Sequence, residues 1–176
     1  MTRSEADHSI LRIHRALRPG FGTEAAVYGT ILVSGLIALA SYSGETSVRV
    51  LIKVGVTVVV FWASHVFAGT VARMGEHASD EVRAELGPAF RGSLRHSVGM
   101  LTSATVPALI LLLGTTRIIP DDIANDVALW SGVVILAFLG YVAFLRRGSS
   151  QLVRILGALV TASFGLAFVV MKAFIH

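Results

Sequence analysis

Five long apolar segments, separated by shorter polar ones, dominate the pattern of this chain. The segments lie at about 24–43, 49–72, 97–113, 122–145 and 151–175. A helix needs about 20 predominantly apolar residues to cross the roughly 30 Å of hydrocarbon in a bilayer, and every segment falls near that length. The pattern therefore predicts an all-α membrane protein, with five transmembrane helices in a compact bundle.

The composition excludes an ordinary soluble domain. Of the 176 residues, 54% are hydrophobic and 15% are charged, and the mean hydropathy is +0.73. Soluble domains have about 45–50% apolar and about 25% charged residues, and a chain this short cannot bury so much apolar surface in its own core. The chain has no cysteine, so disulfides and thiolate metal sites are excluded as well.

The N-terminal segment, residues 1–23, is basic and polar. Within it, Ile10, Ile13 and Leu17 recur at helical spacing between arginines, which predicts a short amphipathic helix on the membrane surface. The first apolar span then ends in an Ala-Leu-Ala sequence at 38–40, which is similar to the cleavage site of a secretory signal. The span is longer than the apolar region of a signal peptide, so we expect a retained helix rather than a cleaved signal.

Residues 24–176 are expected to form a single transmembrane bundle, interrupted by one long polar loop at 73–96. The loop pattern predicts an interfacial helix at 79–86. Gly87 is typical of a residue that ends a helix, and Pro88 is typical of the first position of the next one. The sequence therefore predicts a short extra helix before the third span.

The distribution of basic residues predicts the orientation. In the predicted topology, 11 of the 15 Lys and Arg residues lie on the same side of the membrane as the N-terminus, and cytoplasmic loops retain such residues. We therefore expect a multi-pass protein of a bacterial cytoplasmic membrane, with the N-terminus inside and the C-terminus outside. Anionic headgroups at the cytoplasmic face account for the positive charge, so nucleic acid is not expected as a partner.

A histidine inside the second span is the most conspicuous candidate for chemistry. The short link after the first span makes an antiparallel hairpin, in which His65 comes level with Tyr28 and lies about 6 Å from the middle of its span. Glu24 lies about a turn nearer the cytoplasm, and Trp62 lies one turn away from His65 on the same helix. These four residues are the candidate relay for protons or cations, because ionisable residues inside a membrane are functional candidates.

Two other interpretations of His65 stay open. The imidazole can form a structural hydrogen bond between the first and second helices, as polar side chains often do in membrane bundles. It can also bind a metal, but His65 and Glu24 together provide only two ligands, fewer than a metal site normally uses. We therefore expect no metal site and no cofactor.

Acidic residues cluster at the predicted outer side. The cluster consists of Glu45, Asp121, Asp122 and Asp126. Such a cluster attracts cations into a vestibule. The alternative is that it forms a solvated helix start, because negative charges are favourable at a helix N-terminus.

Small residues in the last two spans predict a closely packed helix pair. Gly132 and Gly140 lie on one face of the fourth helix. On the fifth helix, one face carries Gly157, Thr161 and Gly165. The tight turn between the spans pairs Gly132 with Gly165 and Gly140 with Gly157. Small residues at such spacing let membrane helices approach closely.

The third span contains a proline, Pro107. Proline removes one backbone hydrogen bond and leaves the carbonyl of Ser103 without its helical donor. Together these two residues predict a kink in the helix. Hydroxyl groups near the kink can donate to the backbone carbonyl that has lost its helical donor.

No motif in the chain indicates enzyme chemistry, because phosphate loops, metal-protease sequences and nucleophile elbows do not occur. We therefore expect a protein that is not an enzyme. The leading hypothesis is a proton or small-cation channel or transporter that uses the intramembrane histidine. The alternative is a non-catalytic scaffold or accessory subunit that binds a partner protein through its basic loop at 73–96. A single small bundle leaves little room for a pore, so a homo-oligomer or a partner membrane protein is expected in either case.

Overall fold

The computed structural model describes residues 23–75 and 82–175, and these residues form five helices joined by short links. The helices are α1 (Thr23–Tyr42), α2 (Ser47–Gly75), α3 (Val82–Thr115), α4 (Asp121–Leu145) and α5 (Gln151–Ile175). Each helix contains a stretch that is long and apolar enough to cross a membrane. The prediction of five apolar helices is therefore confirmed, and it is compatible with a polytopic membrane protein. The amphipathic helix expected at the N-terminus lies outside the described residues.

The first helix is the central one. It contacts all four other helices, and 56% of its span is buried, against 11% for α5. Hydrophobicity does not drive helices together in lipid, so close packing of small side chains must do so. The buried face of α1 fits this requirement, because Ala25, Ala26, Gly29, Thr30 and Ser34 are all buried there.

The third helix is longer than predicted and has no break. Gly87 and Pro88 lie inside α3, which is helical from Val82 onwards, so the prediction of a short helix ending at residue 86 is wrong for the described part. A proline inside a helix removes one backbone hydrogen bond and crowds the preceding turn, but α3 continues through Pro88 to Thr115. The rest of the expected helix, 79–81, lies outside the described residues.

Glycine forms the turns of both short links. Gly44, between α1 and α2, has a φ of 63°, and Gly148, between α4 and α5, has a φ of 69°. These left-handed conformations are readily available to glycine alone among the common residues. At the second turn, the N–H of Ser149 donates to the carbonyl of Phe144, and the N–H of Gly148 donates to that of Leu145. Both turns reverse the chain within a few residues, so the flanking helices are antiparallel neighbours.

Apolar side chains fill the space between the helices. The core is built from α1, α2, α3 and α4, and its largest members are Val33, Ile37, Val50, Val54, Val58, Leu111 and Leu129. Many large apolar residues of α2 and α5 are exposed instead, including Phe67 and Phe164. Such exposed apolar faces are expected where helices contact lipid rather than water.

Candidate functional site

The imidazole of His65 on α2 lies beside a second imidazole, that of His96 on α3. The two ring centroids are 6.3 Å apart, and the ring planes differ by 16°. Both side chains are half-buried. His96 was not predicted as a partner, because it is the last residue of the polar loop expected at 73–96. The α2–α3 interface therefore contains two neighbouring titratable groups.

Of the residues that were expected near His65, two are exposed and one is partly buried on the same helix. Tyr28 is 53% exposed and forms no hydrogen bond with His65, so the expected contact between them is not made. Glu24 is exposed at the start of α1. Trp62 does lie one turn from His65 on α2, and its indole nitrogen is buried without a hydrogen-bond acceptor among the described residues.

The depth of the histidine pair follows from the register of α2 and α3. A methyl group added at Gly114 would overlap the hydroxyl of Ser47, so these residues are opposite each other at one end of the interface. His65 is eighteen residues from Ser47, and His96 is eighteen residues from Gly114. At 1.5 Å per residue, the pair lies about 27 Å from that end. Each histidine is thus about 7 Å from the middle of its apolar span, which is Ser47–Met74 in α2 and Leu86–Thr115 in α3.

Beyond the pair, the α2–α3 interface is made of small and polar residues. A Cβ added at Gly69 would lie 3.1 Å from Ser93 Oγ, and one added at Gly92 would overlap the guanidinium of Arg73. Ser93 is 2% exposed, and its hydroxyl has no hydrogen-bond partner among the described residues. The two helices therefore approach closely here through small side chains, alongside the buried Val66 and Ala89.

Positive charge accumulates at the same end of the molecule. The described arginines there are Arg73, Arg91, Arg95, Arg146, Arg147 and Arg154. Two of them have contacts of their own, since Arg147 lies over the ring of Phe144 and Arg154 donates to the carbonyl of Ser149. The helices α2 and α3 are also the longest, with 29 and 34 residues. Because their opposite ends meet at Ser47 and Gly114, the extra length projects at the arginine-rich end.

At the opposite end, the acidic residues form a structural network. The N–H of Ser47, at the start of α2, donates to Asp121 Oδ1 at 2.9 Å. The amide of Asn125 donates to the carbonyl of Glu45 at 3.1 Å. Glu45 also forms an ion pair with Lys53, and Asp126 forms one with Lys172. Three of the four predicted vestibule residues therefore form hydrogen bonds or ion pairs within the protein. Asp122 is exposed. The geometry favours a structural role for this cluster over a cation vestibule.

The predicted small-residue contacts between α4 and α5 are present at four of the five positions. A Cβ at Gly140 would lie 2.5 Å from the carbonyl oxygen of Gly157. Thr161 Oγ1 is 2.8 Å from the carbonyl oxygen of Leu136 across the interface and 2.9 Å from that of Gly157 in its own helix. Gly165 packs against Val133 and Leu136. These contacts fix α4 against α5 through backbone-to-backbone proximity.

Gly132 differs from the prediction, because it faces α1 instead of α5. A methyl group at this position would overlap the hydroxyl of Ser34. The residue nevertheless serves the expected physical purpose, since it allows close approach of two helices.

Both predicted kink residues are buried, and Ser103 lies where α3 meets α1. Pro107 is fully buried, and Ser103 Oγ donates to the carbonyl of Met100 at 2.8 Å. A Cβ at Gly29 of α1 would lie 2.5 Å from Ser103 Oγ. These residues therefore line a close contact within the bundle, with the hydroxyl bonded locally.

Within residues 23–75 and 82–175, no group of three or more His, Asp or Glu side chains could hold a metal ion. Comparison of the chain with protein-family models, with curated proteins and with solved structures gives no match. The residues themselves must therefore support any proposal about function.

Proposed function

We propose that this is a multi-pass protein of a bacterial cytoplasmic membrane that takes up protons at the His65–His96 pair and passes protons or small cations. The contact between the two imidazole rings supports the proposal most directly. Histidine is the side chain that ordinarily changes charge between about pH 5 and pH 8. The arginine-rich end faces the cytoplasm, as basic residues do in membrane proteins, so the pair receives protons from that side.

The route past the pair runs along the outside of one bundle rather than through it. The core residues Val54 and Val58 of α2 fill the interior between the pair and the acidic network. Polar side chains instead follow the outer face of α2 at helical spacing, from Ser64 through Thr57 to Lys53. For passage along this face, a second copy of the chain or another membrane protein must cover it from lipid. We therefore propose that the protein functions as a homo-oligomer.

Ion flux into proteoliposomes tests this function. We expect a flux that rises as the pH falls and that is lost in His65→Ala and in His96→Ala. Ser163→Ala serves as the matched control, because this exposed hydroxyl bonds only within its own helix. A wild-type protein that passes no proton, sodium or potassium at any pH would overturn the proposal.

A second candidate is a non-catalytic accessory subunit that binds an acidic partner protein. The observation that favours it is the projection of α2 and α3 at the arginine-rich end, where Arg91 and Arg95 are exposed. Replacing Arg83, Arg91 and Arg95 by alanine should then abolish co-purification of the partner. Arg117→Ala, at the opposite end, is the control. Unchanged co-purification in the triple variant would contradict this candidate.

A further inference from the structure

A groove with a volume of about 370 Å³ lies on the surface of the bundle between α2 and α3. Leu51 of α2 lines one side, and residues of α3 from Leu101 to Leu112 line the rest, including Ala104, Thr105 and Ala108. This volume is within the range of about 300–1,000 Å³ that is typical of ligand sites. Most of the lining side chains of α3 are at least partly exposed, so in a membrane this α2–α3 groove is open to lipid.

The α2–α3 groove exists because small residues lie beside it on both helices. Ala104 and Ala108 are one turn apart on α3, and their side chains extend little from the backbone. Gly55 is one turn after Leu51 on α2, and a Cβ added there would have nothing within 4 Å. An empty space of this kind deprives the surrounding atoms of dispersion contacts. A flexible chain that fills the space restores them.

The lining of the groove favours a hydrocarbon occupant. Six of the seven lining residues are leucine or alanine. The seventh, Thr105, donates its hydroxyl to the carbonyl of Leu101 at 3.3 Å within α3. A ligand with polar groups would therefore bury them here without hydrogen-bond partners, which is unfavourable. A hydrocarbon chain has no such groups.

The length of the groove matches one leaflet of the bilayer. Leu112 is two residues before Gly114, which lies opposite Ser47 near the acidic network. Leu101 is at the middle of the apolar span of α3, Leu86–Thr115. The eleven-residue separation of Leu101 from Leu112 corresponds to about 16 Å along the helix, and half of the hydrocarbon layer is about 15 Å thick. The groove thus extends from one boundary of the membrane to its middle.

We infer that the α2–α3 groove holds one acyl chain of a phospholipid from the leaflet on the side of the acidic network. An acyl chain of that leaflet begins at the headgroups and ends at the middle of the bilayer, as the groove does. Arg117 favours the same placement, because it is exposed just beyond the end of α3, five residues after Leu112, and guanidinium groups bind phosphate. The inference is independent of the proposed proton uptake and ion passage.

Photocrosslinking with two phospholipid probes tests the inference. Both probes are phosphatidylglycerols that carry a diazirine on one acyl chain, either next to the glycerol or at the end of the chain. Each is added in trace amounts to nanodiscs of phosphatidylglycerol and phosphatidylethanolamine that contain the full chain. Irradiation followed by peptide mass spectrometry then locates the crosslinks.

An exposed residue at the same depth provides the reference for labelling. Val134 of α4 is 66% exposed and lies thirteen residues from Asp121, just as Leu101 lies thirteen residues from Gly114. We expect the chain-end probe to label residues 101–105 several-fold more than Val134. The probe with its diazirine next to the glycerol should label the region of Leu112 instead.

Filling the groove should prevent this labelling. Ala108→Phe should reduce labelling in the groove to the level of Val134, and the smaller change Ala108→Leu should give an intermediate reduction. Ala167→Phe introduces the same side chain at an exposed alanine of α5 and should leave labelling in the groove unchanged. Thermal denaturation and the labelling of Val134 establish that each variant is folded, and Ala108→Leu serves alone if Ala108→Phe does not fold.

Three results would overturn the inference. The first is equal labelling of the groove and of Val134 by the chain-end probe. The second is labelling in the groove that does not fall when Ala108 is enlarged. The third is a disulfide-linked dimer of Leu109→Cys in nanodiscs, which would show that a second copy of the chain covers the groove in place of lipid.

Discussion

The carboxylate of Asp121, at the first residue of α4, accepts a hydrogen bond from the backbone N–H of Ser47, at the first residue of α2. The start of one helix thus caps the start of another that is 74 residues away in sequence. This bond satisfies one of the donors that every helix leaves free at its N-terminus, and it places a negative charge at the positive end of the α2 dipole.

Removing this cap should destabilise the bundle. We expect Asp121→Ala to lower the free energy of unfolding by about 1 kcal/mol, which is typical for the loss of an N-terminal cap. The exposed neighbour Asp122→Ala is the control and should change stability little. Denaturation of the purified protein in mild detergent measures both, and equal stabilities of the two variants would contradict the capping role.

A side chain at Gly140 should disrupt the contact of α4 with α5. The Cβ of Gly140→Ala would lie 2.5 Å from the carbonyl oxygen of Gly157, so the helices must move apart at a cost of about 1–3 kcal/mol. Gly55→Ala makes the same chemical change in the middle of α2, where nothing lies within 4 Å of the new atom. Thermal denaturation should show a large loss for the first variant and none for the second. Equal tolerance of both would show that the close approach is unimportant for stability.

The hydroxyl of Thr161 should contribute through its bond to the carbonyl of Leu136. Thr161→Val keeps the shape of the side chain but removes this donor, and we expect a loss of about 0.6 kcal/mol, as for other hydrogen bonds between membrane helices. Ser163→Ala removes a hydroxyl that bonds only to the carbonyl of Val160 in its own helix. A loss no greater than that of the serine control would argue against an interhelical contribution.

The orientation can be determined by labelling with an impermeant thiol reagent. Ser43→Cys, in the link between α1 and α2, should react in intact cells. Ser150→Cys, beside the arginine-rich turn, should react only after the membrane is made permeable, because basic loops stay in the cytoplasm. The opposite pattern would reverse the orientation, and with it the side from which protons reach the histidine pair.

The turn between α4 and α5 shows that sequence spacing can predict which residues of two adjacent antiparallel helices lie side by side. Gly148 reverses the chain within a few residues, so counting outwards from it brings Gly140 beside Gly157 in the structure. Counting in the first hairpin put Tyr28 level with His65, but the side chain of Tyr28 is exposed and forms no hydrogen bond with the imidazole. Rotation of a helix about its own axis decides which side chains meet, and such rotation depends on packing against helices that are distant in sequence.

The histidine pair could not be predicted for the same reason. The sequence predicts a long polar loop at 73–96 between the second and third spans, and such a loop hides the register of α2 against α3. His96 is the last residue of that predicted loop, so it was not expected to face a residue inside the second span.

The sequence by itself determined that this chain has five apolar helices long enough to span a membrane, because the length of an apolar run and the scarcity of charge are local properties. Only the tertiary structure decided which polar groups meet: His65 with His96, and Asp121 with the start of α2. Those contacts depend on the rotation and register of whole helices, which the packing of α1 against its four neighbours sets, and no single segment contains that information.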